Sequence, residues 1–200
     1  MSEKGKIVAI TGQSGCGKST LSGLFSLKGY TVIDCDKVAK SVHNIEECKD
    51  KLAEFFGGDI IVEGKIDTAL LSQKAFADEK SLQGLTDITH PFIISEILAK
   101  SQGAFERGEK LVFVDGAVII GHDFEKYCDK FIVVVASFEK QCERLIKRDS
   151  LTIEQVKNRI SRQTTYSEML KKADYVINNN TTPTGLIVQG EFVLKQLLSV

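Results

Sequence analysis

Gly12-Gln13-Ser14-Gly15-Cys16-Gly17-Lys18-Ser19 constrains this chain more than any other stretch. The apolar run Lys6-Ile7-Val8-Ala9-Ile10-Thr11 precedes it and reads as a buried strand. Thr20-Leu21-Ser22-Gly23-Leu24-Phe25 follows it and reads as the start of a helix. The spacing is G-x-x-x-x-G-K-[ST], the pattern of a phosphate-binding loop. Glycines let such a loop wrap a phosphate chain closely, with its N–H groups turned inward. The helix N-terminus adds roughly half a unit of positive charge. Lys18 is expected to reach the β- and γ-phosphates, and the Ser19 hydroxyl to ligate Mg²⁺. Gly12, Gly15, Cys16, Gly17, Lys18, Ser19 and Thr20 are therefore expected to hold ATP. The alternative is a glycine-rich turn that matches by accident, but strand, loop and helix are all in register.

Composition agrees with a globular enzyme. The chain has 200 residues, 42% hydrophobic and 26% charged, with a net charge of −1. Lys and Arg are balanced by Asp and Glu, so no nucleic-acid surface is expected. No apolar run approaches the roughly 20 residues that span a bilayer, and no membrane partner is expected. The polar start Met1-Ser2-Glu3-Lys4-Gly5-Lys6 is unlike a signal peptide. Cys16, Cys35, Cys48, Cys128 and Cys142 form no C-x-x-C pair and no zinc spacing. Scattered thiols of odd number read as reduced, which points to the cytoplasm.

Strand-like and helix-like runs alternate, the mark of an α/β chain with a parallel sheet. Thr31-Val32-Ile33-Asp34 reads as the second strand, Leu111-Val112-Phe113-Val114-Asp115 as the third, and Phe131-Ile132-Val133-Val134-Val135 as the fourth. Tyr175-Val176-Ile177 completes five. The runs are apolar without alternation, as strands buried on both faces are. The gap between the second and third strands holds helical stretches near 45–56, 68–76 and 92–105. Gly57-Gly58 and His90-Pro91 are expected to separate them. We expect a nucleotide-binding core over 1–43 and 106–200, with a helical acceptor-binding insertion over 44–105. A polar helical hairpin over about 138–172 suits a lid. Ligands bind beyond the carboxyl ends of such strands, where the loop, Asp34, Asp36 and Asp115 all fall.

Asp34 and Asp36 end a strand, and phosphoryl transfer to a hydroxyl needs a carboxylate to accept its proton. If a helix begins at Lys37, Asp36 becomes an N-cap instead. Asp115 is placed to hold Mg²⁺, or is a turn carboxylate. Arg144 and Arg148 share a helix face and are candidates to clamp the triphosphate. They are otherwise a solvated face paired with Glu143 and Asp149. His90, beside Pro91, is a candidate substrate contact or a local structural one. Cys16, at a helix N-terminus, is a candidate for a lowered thiol pKa, or simply a small residue that fits.

Taken together, the chain resembles the dephospho-coenzyme A kinase family nearly end to end. The residues that carry the likeness are Ile10-Thr11-Gly12 through Thr20, Val32-Ile33-Asp34-Cys35-Asp36, and Phe56-Gly57-Gly58-Asp59-Ile60. They continue through Gly64-Lys65-Ile66-Asp67, His90-Pro91, Gln141-x-x-Arg144-x-x-x-Arg148-Asp149, Gln163 and Ala173-Asp174-Tyr175-Val176-Ile177-Asn178-Asn179. The resemblance implies a P-loop kinase fold and transfer of the ATP γ-phosphate to the ribose 3′-hydroxyl of dephospho-CoA. It implies Asp36 as the base, Asn179 beside the nucleotide, the insertion as receiver of the pantetheine arm, and the Arg-bearing hairpin as a lid. The chain departs from the family pattern at Gln13, Thr68, Ala117, Gly121 and Met169-Leu170. Two other readings remain open at this point. One is a kinase of another small hydroxyl acceptor on the same fold, and the other an ATP-binding regulatory protein without transfer activity.

Overall fold

A computed structural model describes residues 5–117, 119–180 and 182–199. The polar start Met1-Ser2-Glu3-Lys4 lies outside the described residues. The chain opens with β1 (Lys6–Thr11), α1 (Lys18–Leu27) and β2 (Thr31–Asp34). It continues through α2 (Cys35–Ser41), α3 (Glu46–Phe56), β3 (Ile61–Val62), β4 (Lys65–Ile66), α4 (Thr68–Ala75) and α5 (Glu79–Glu106). Then come β5 (Leu111–Asp115), β6 (Lys130–Val135), α6 (Phe138–Asp149), α7 (Ile153–Ser161), α8 (Tyr166–Leu170), β7 (Tyr175–Asn178) and α9 (Pro183–Leu198). Two compact units result: Met1–Ile33 with Gly103–Val200, and Asp34–Gln102.

In the first unit the five strands lie in the order β2-β5-β1-β6-β7. The pairings β1–β5, β1–β6 and β6–β7 are all parallel. Successive side chains of a strand face opposite ways, so each strand feeds two cores. Val8, Ile10, Phe113, Ile132, Val134 and Ile177 pack on one face against Leu21 and Phe25 of α1 and Leu186, Val193 and Leu197 of α9. Phe25 stacks on Phe113 at 4.2 Å between ring centroids, and Tyr30 meets Phe113 edge-on at 5.6 Å. Val133 faces the other way, in a smaller cluster with Ile120 and Met169. Met169 is fully buried there and anchors α8, which explains an apolar residue where the family pattern carries charge. Every fully buried side chain of this size contributes about 1.5–3 kcal/mol.

The second unit is mostly helical, with one small ladder. Cys48, Leu52 and Phe56 recur every fourth residue and form the buried stripe of α3. β3 and β4 pair antiparallel through Glu63 (φ +50°) and Gly64 (φ +78°), two successive left-handed residues of the kind a two-residue hairpin requires. Asp67 caps α4 by accepting from the N–H groups of Ala69 and Leu70. The expected break at His90-Pro91 does not occur: α5 runs through Pro91 as one helix. Proline removes one helical N–H and costs about 3 kcal/mol. Burial of Thr89 before it and Ile97 after it outweighs that cost, and the Thr86 and Thr89 hydroxyls donate to the Leu82 and Leu85 carbonyls.

Candidate active site

β1 delivers the chain at the carboxyl edge of the sheet, and Gly17 (φ +109°) caps α1 in the left-handed region. Every carbonyl from Gly12 to Gly17 is taken by a donor. Lys18 Nζ donates to Gly12 O at 2.6 Å, and the Cys16 N–H to Gln13 O at 3.1 Å. Gln141 Nε2 donates to Ser14 O at 2.8 Å. Arg144 donates through one terminal nitrogen to Gly15 O at 3.0 Å and Cys16 O at 3.2 Å. Asn179 Nδ2 adds a bond to Cys16 O at 2.7 Å, and the N–H groups of Thr20 and Leu21 close on Gly17 O. The N–H groups of Gly15, Gly17 and Ser19 make no hydrogen bond among the described residues, while that of Lys18 faces the Cys16 thiol. Open donors at a helix N-terminus, with the carbonyls tied back, form a cradle that fits a phosphate chain.

Two of the glycines are required by close approach as well as by φ. A Cβ on Gly15 would sit 3.0 Å from Gln141 O and 3.1 Å from its Cα, while one on Gly17 would collide with the Asn179 amide. Cys16 is fully buried in the main core cluster. Burial pushes its thiol pKa up, against the opposing pull of Lys18, so the lowering considered from its place at a helix start is not found. It serves the loop as a small core residue with a protonated thiol.

Asp115, at the end of β5, accepts from Ser22 Oγ at 2.6 Å. Ser22 lies one helical turn beyond Ser19 on α1 and is buried. Ser19 and Thr20 are exposed. A hydroxyl and a carboxylate suit Mg²⁺ shared with nucleotide phosphates, since this ion needs few protein ligands. Among the described residues no cluster of three or more His, Cys, Asp or Glu side chains is placed to hold a metal alone.

Arg144 and Arg148, paired by their spacing, do different things. Arg144 is spent on the loop and on the Asn179 carbonyl, which it reaches at 2.8 Å. Arg148 is exposed and bidentate to Asp149, at 2.7 and 2.8 Å, and Arg159 reaches the same carboxylate at 3.0 Å. Asp149 thus ties α6 to α7 across a turn in which Ser150 adopts φ +54°. Asn179, read as a nucleotide contact, is buried, and its amide donates to the loop at Cys16 O. Gln141 and Gln163 carried no role in the sequence reading. The signal for Gln141 was its position four residues before Leu145, on the buried face of α6.

In the second unit, α2 begins at Cys35 and its cap is Asp34, whose carboxylate accepts from the Lys37 N–H at 3.1 Å. The capping role considered for Asp36 therefore falls to Asp34. Asp36 sits in the first helical turn, exposed, with no hydrogen bond or ion pair among the described residues. His90 is half-buried within α5.

A glycine-rich loop of this form, set between β1 and α1 of a parallel sheet ordered β2-β5-β1-β6-β7, defines the fold class as that of the P-loop kinases. The family profile of dephospho-CoA kinase matches residues 6–184. A dephospho-CoA kinase of Listeria innocua is 38% identical over 180 residues, covering 88% of this chain and 89% of the relative. A solved structure from Thermus thermophilus aligns with a TM-score of 0.81 at 27% identity over 98% of both chains. The dephospho-CoA kinase of Campylobacter jejuni aligns with a TM-score of 0.65 at 25% identity over 96% of both. The chain belongs to the dephospho-CoA kinase family.

Proposed function

We propose that this chain transfers the γ-phosphoryl group of ATP to the ribose 3′-hydroxyl of dephospho-CoA, giving coenzyme A and ADP. The observation that carries the reading is the loop itself, whose carbonyls are all tied away from the N–H groups of Gly15, Gly17 and Ser19, in a chain of this family. Those N–H groups bind phosphate oxygens. Lys18, whose ammonium now rests on Gly12 O, turns to the transferring group and stabilises the charge that grows on it. Ser19 and Asp115 hold Mg²⁺, which when bound neutralises phosphate charge, and Ser22 orients the Asp115 carboxylate. Asp36 accepts the proton of the attacking hydroxyl, a role left open to it because Asp34 supplies the cap. Arg148 offers charge from the hairpin, while Arg144 acts through the loop it braces. The second unit, Asp34–Gln102, receives the acceptor, with His90 as one contact.

No helix is long and apolar enough to cross a membrane among the described residues, and all five cysteines are free. Free thiols and ATP chemistry suit the cytoplasm. An ADP-release assay with ATP, Mg²⁺ and a panel of hydroxyl acceptors tests the proposal. Turnover should require dephospho-CoA, and preference for a nucleoside, a nucleotide or a sugar in its place would refute it.

A further inference from the structure

The crown of the phosphate loop is fastened to both legs of the α6–α7 hairpin through one residue, Ser14. Ser14 O accepts from Gln141 Nε2 at 2.8 Å, and the Ser14 N–H donates to Gln163 Oε1 at 2.8 Å. Gln141 stands in the first turn of α6, where the hairpin begins, and Gln163 follows α7, where it ends. Beside them Gln13 Nε2 donates to Thr164 O at 3.1 Å. Gln13 and Ser14 are each at most 9% exposed, so these amides are shielded from competing water. The polarity alternates: a loop N–H goes to a hairpin amide oxygen, and a loop amide goes to a hairpin carbonyl. Beyond the fastening, residues 142–162 are held together by their own ion cluster at Asp149.

We propose that Gln13 is a positioning residue that makes the phosphate loop and the base of the hairpin one body, so that phosphate in the loop also orders the hairpin. This rests on the reading of the loop as a triphosphate site. Anion binding by the N–H groups of Gly15, Gly17 and Ser19 fixes the loop backbone, and Ser14 is the next residue along. A loop already ordered holds Gln163 and Thr164 in place at lower entropic cost, and the ordering passes along the hairpin without any change of shape. Of the residues concerned, Gln13 reaches Thr164 by its side chain alone, so substituting it leaves both bonds of Ser14 with their own donors and acceptors.

Hydrogen exchange read by mass spectrometry on the full chain, with and without Mg²⁺ and a non-hydrolysable ATP analogue, tests this. Gln13→Met keeps the length and loses the donor without adding a charge. It should speed exchange at residues 163–166 about fivefold, the worth of one neutral hydrogen bond. It should also weaken nucleotide-induced protection of residues 144–162 while protection of residues 15–20 persists, the Ser14 bonds carrying the remainder. Gln163→Ala removes the neighbouring bond and carries the same expectation if Gln13→Met folds poorly. Equal nucleotide-induced protection of residues 144–162 in the unaltered chain and both variants would overturn the coupling, as would its absence in the unaltered chain. No protection of residues 15–20 in the unaltered chain would instead overturn the triphosphate reading, and the coupling with it.

Discussion

Lys18 is the residue whose loss should be felt most in the chemistry and least in the fold. Its ammonium touches a loop carbonyl and lies outside both core clusters. Lys18→Ala should cost about 3–4 kcal/mol of transition-state stabilisation, several hundredfold in turnover, with an unchanged melting temperature. Steady-state kinetics beside a thermal melt would decide it, and near-normal turnover would remove Lys18 from the mechanism. Asp36→Asn should lower turnover by about 10²–10⁴ with ATP affinity intact. Asp34→Asn keeps a capping oxygen for Lys37 N and should show the weaker effect. The two arginines separate in the same way. Arg144→Lys cannot span the Gly15, Cys16 and Asn179 carbonyls with one ammonium, so KM for ATP should rise and the melting temperature fall. Arg148→Lys should lower kcat alone. Identical effects of the two substitutions would contradict the division of roles.

At the scale of elements, the hairpin of α6 and α7 depends on Asp149. Hydrogen bonding from Arg148 holds this carboxyl below its usual range. A group with a depressed folded value stabilises above its unfolded pKa, and the contribution fades as pH falls through the folded value. The Asp149 tie is therefore fully present at neutral pH. Asp149→Asn should raise tryptic cleavage after Arg148 relative to the unaltered chain, and equal cleavage rates would show that the tie holds nothing. Much at this scale was legible in the sequence. The strands β1, β2 and β5 begin and end where their apolar runs do, because burial on both faces leaves an unbroken run to read. Pro91 misled, because a local breaker was outweighed by burial that only the folded chain reveals. The bracing of the loop was not legible either. It consists of bonds to carbonyls from Gln141, Arg144 and Asn179, residues more than a hundred positions away, and a carbonyl has the same appearance in every residue of a sequence.

Across the whole molecule, the candidate site was partly legible for the same physical reason. Glycines, Lys18 and Ser19 announce a phosphate loop because their chemistry demands those residue types in order. Ser22, which meets Asp115, announces nothing, since a serine in a helix has many uses. Ser22→Ala should raise the Mg²⁺ concentration needed for tight ATP binding severalfold without altering metal-free ATP affinity, a difference that titration calorimetry resolves. Unchanged Mg²⁺ dependence would make the bond a simple strut between α1 and β5. The chain divides into a sheet-bearing unit with the loop and a helical unit that starts at Asp34. The most direct measurement is the identity of the product. Phosphorus NMR and mass spectrometry of a reaction with ATP, Mg²⁺ and dephospho-CoA should show one phosphoryl group gained at the ribose 3′ position for each ADP formed. ADP formed at the same rate without acceptor, or dephospho-CoA recovered unmodified while ATP is consumed, would contradict the account.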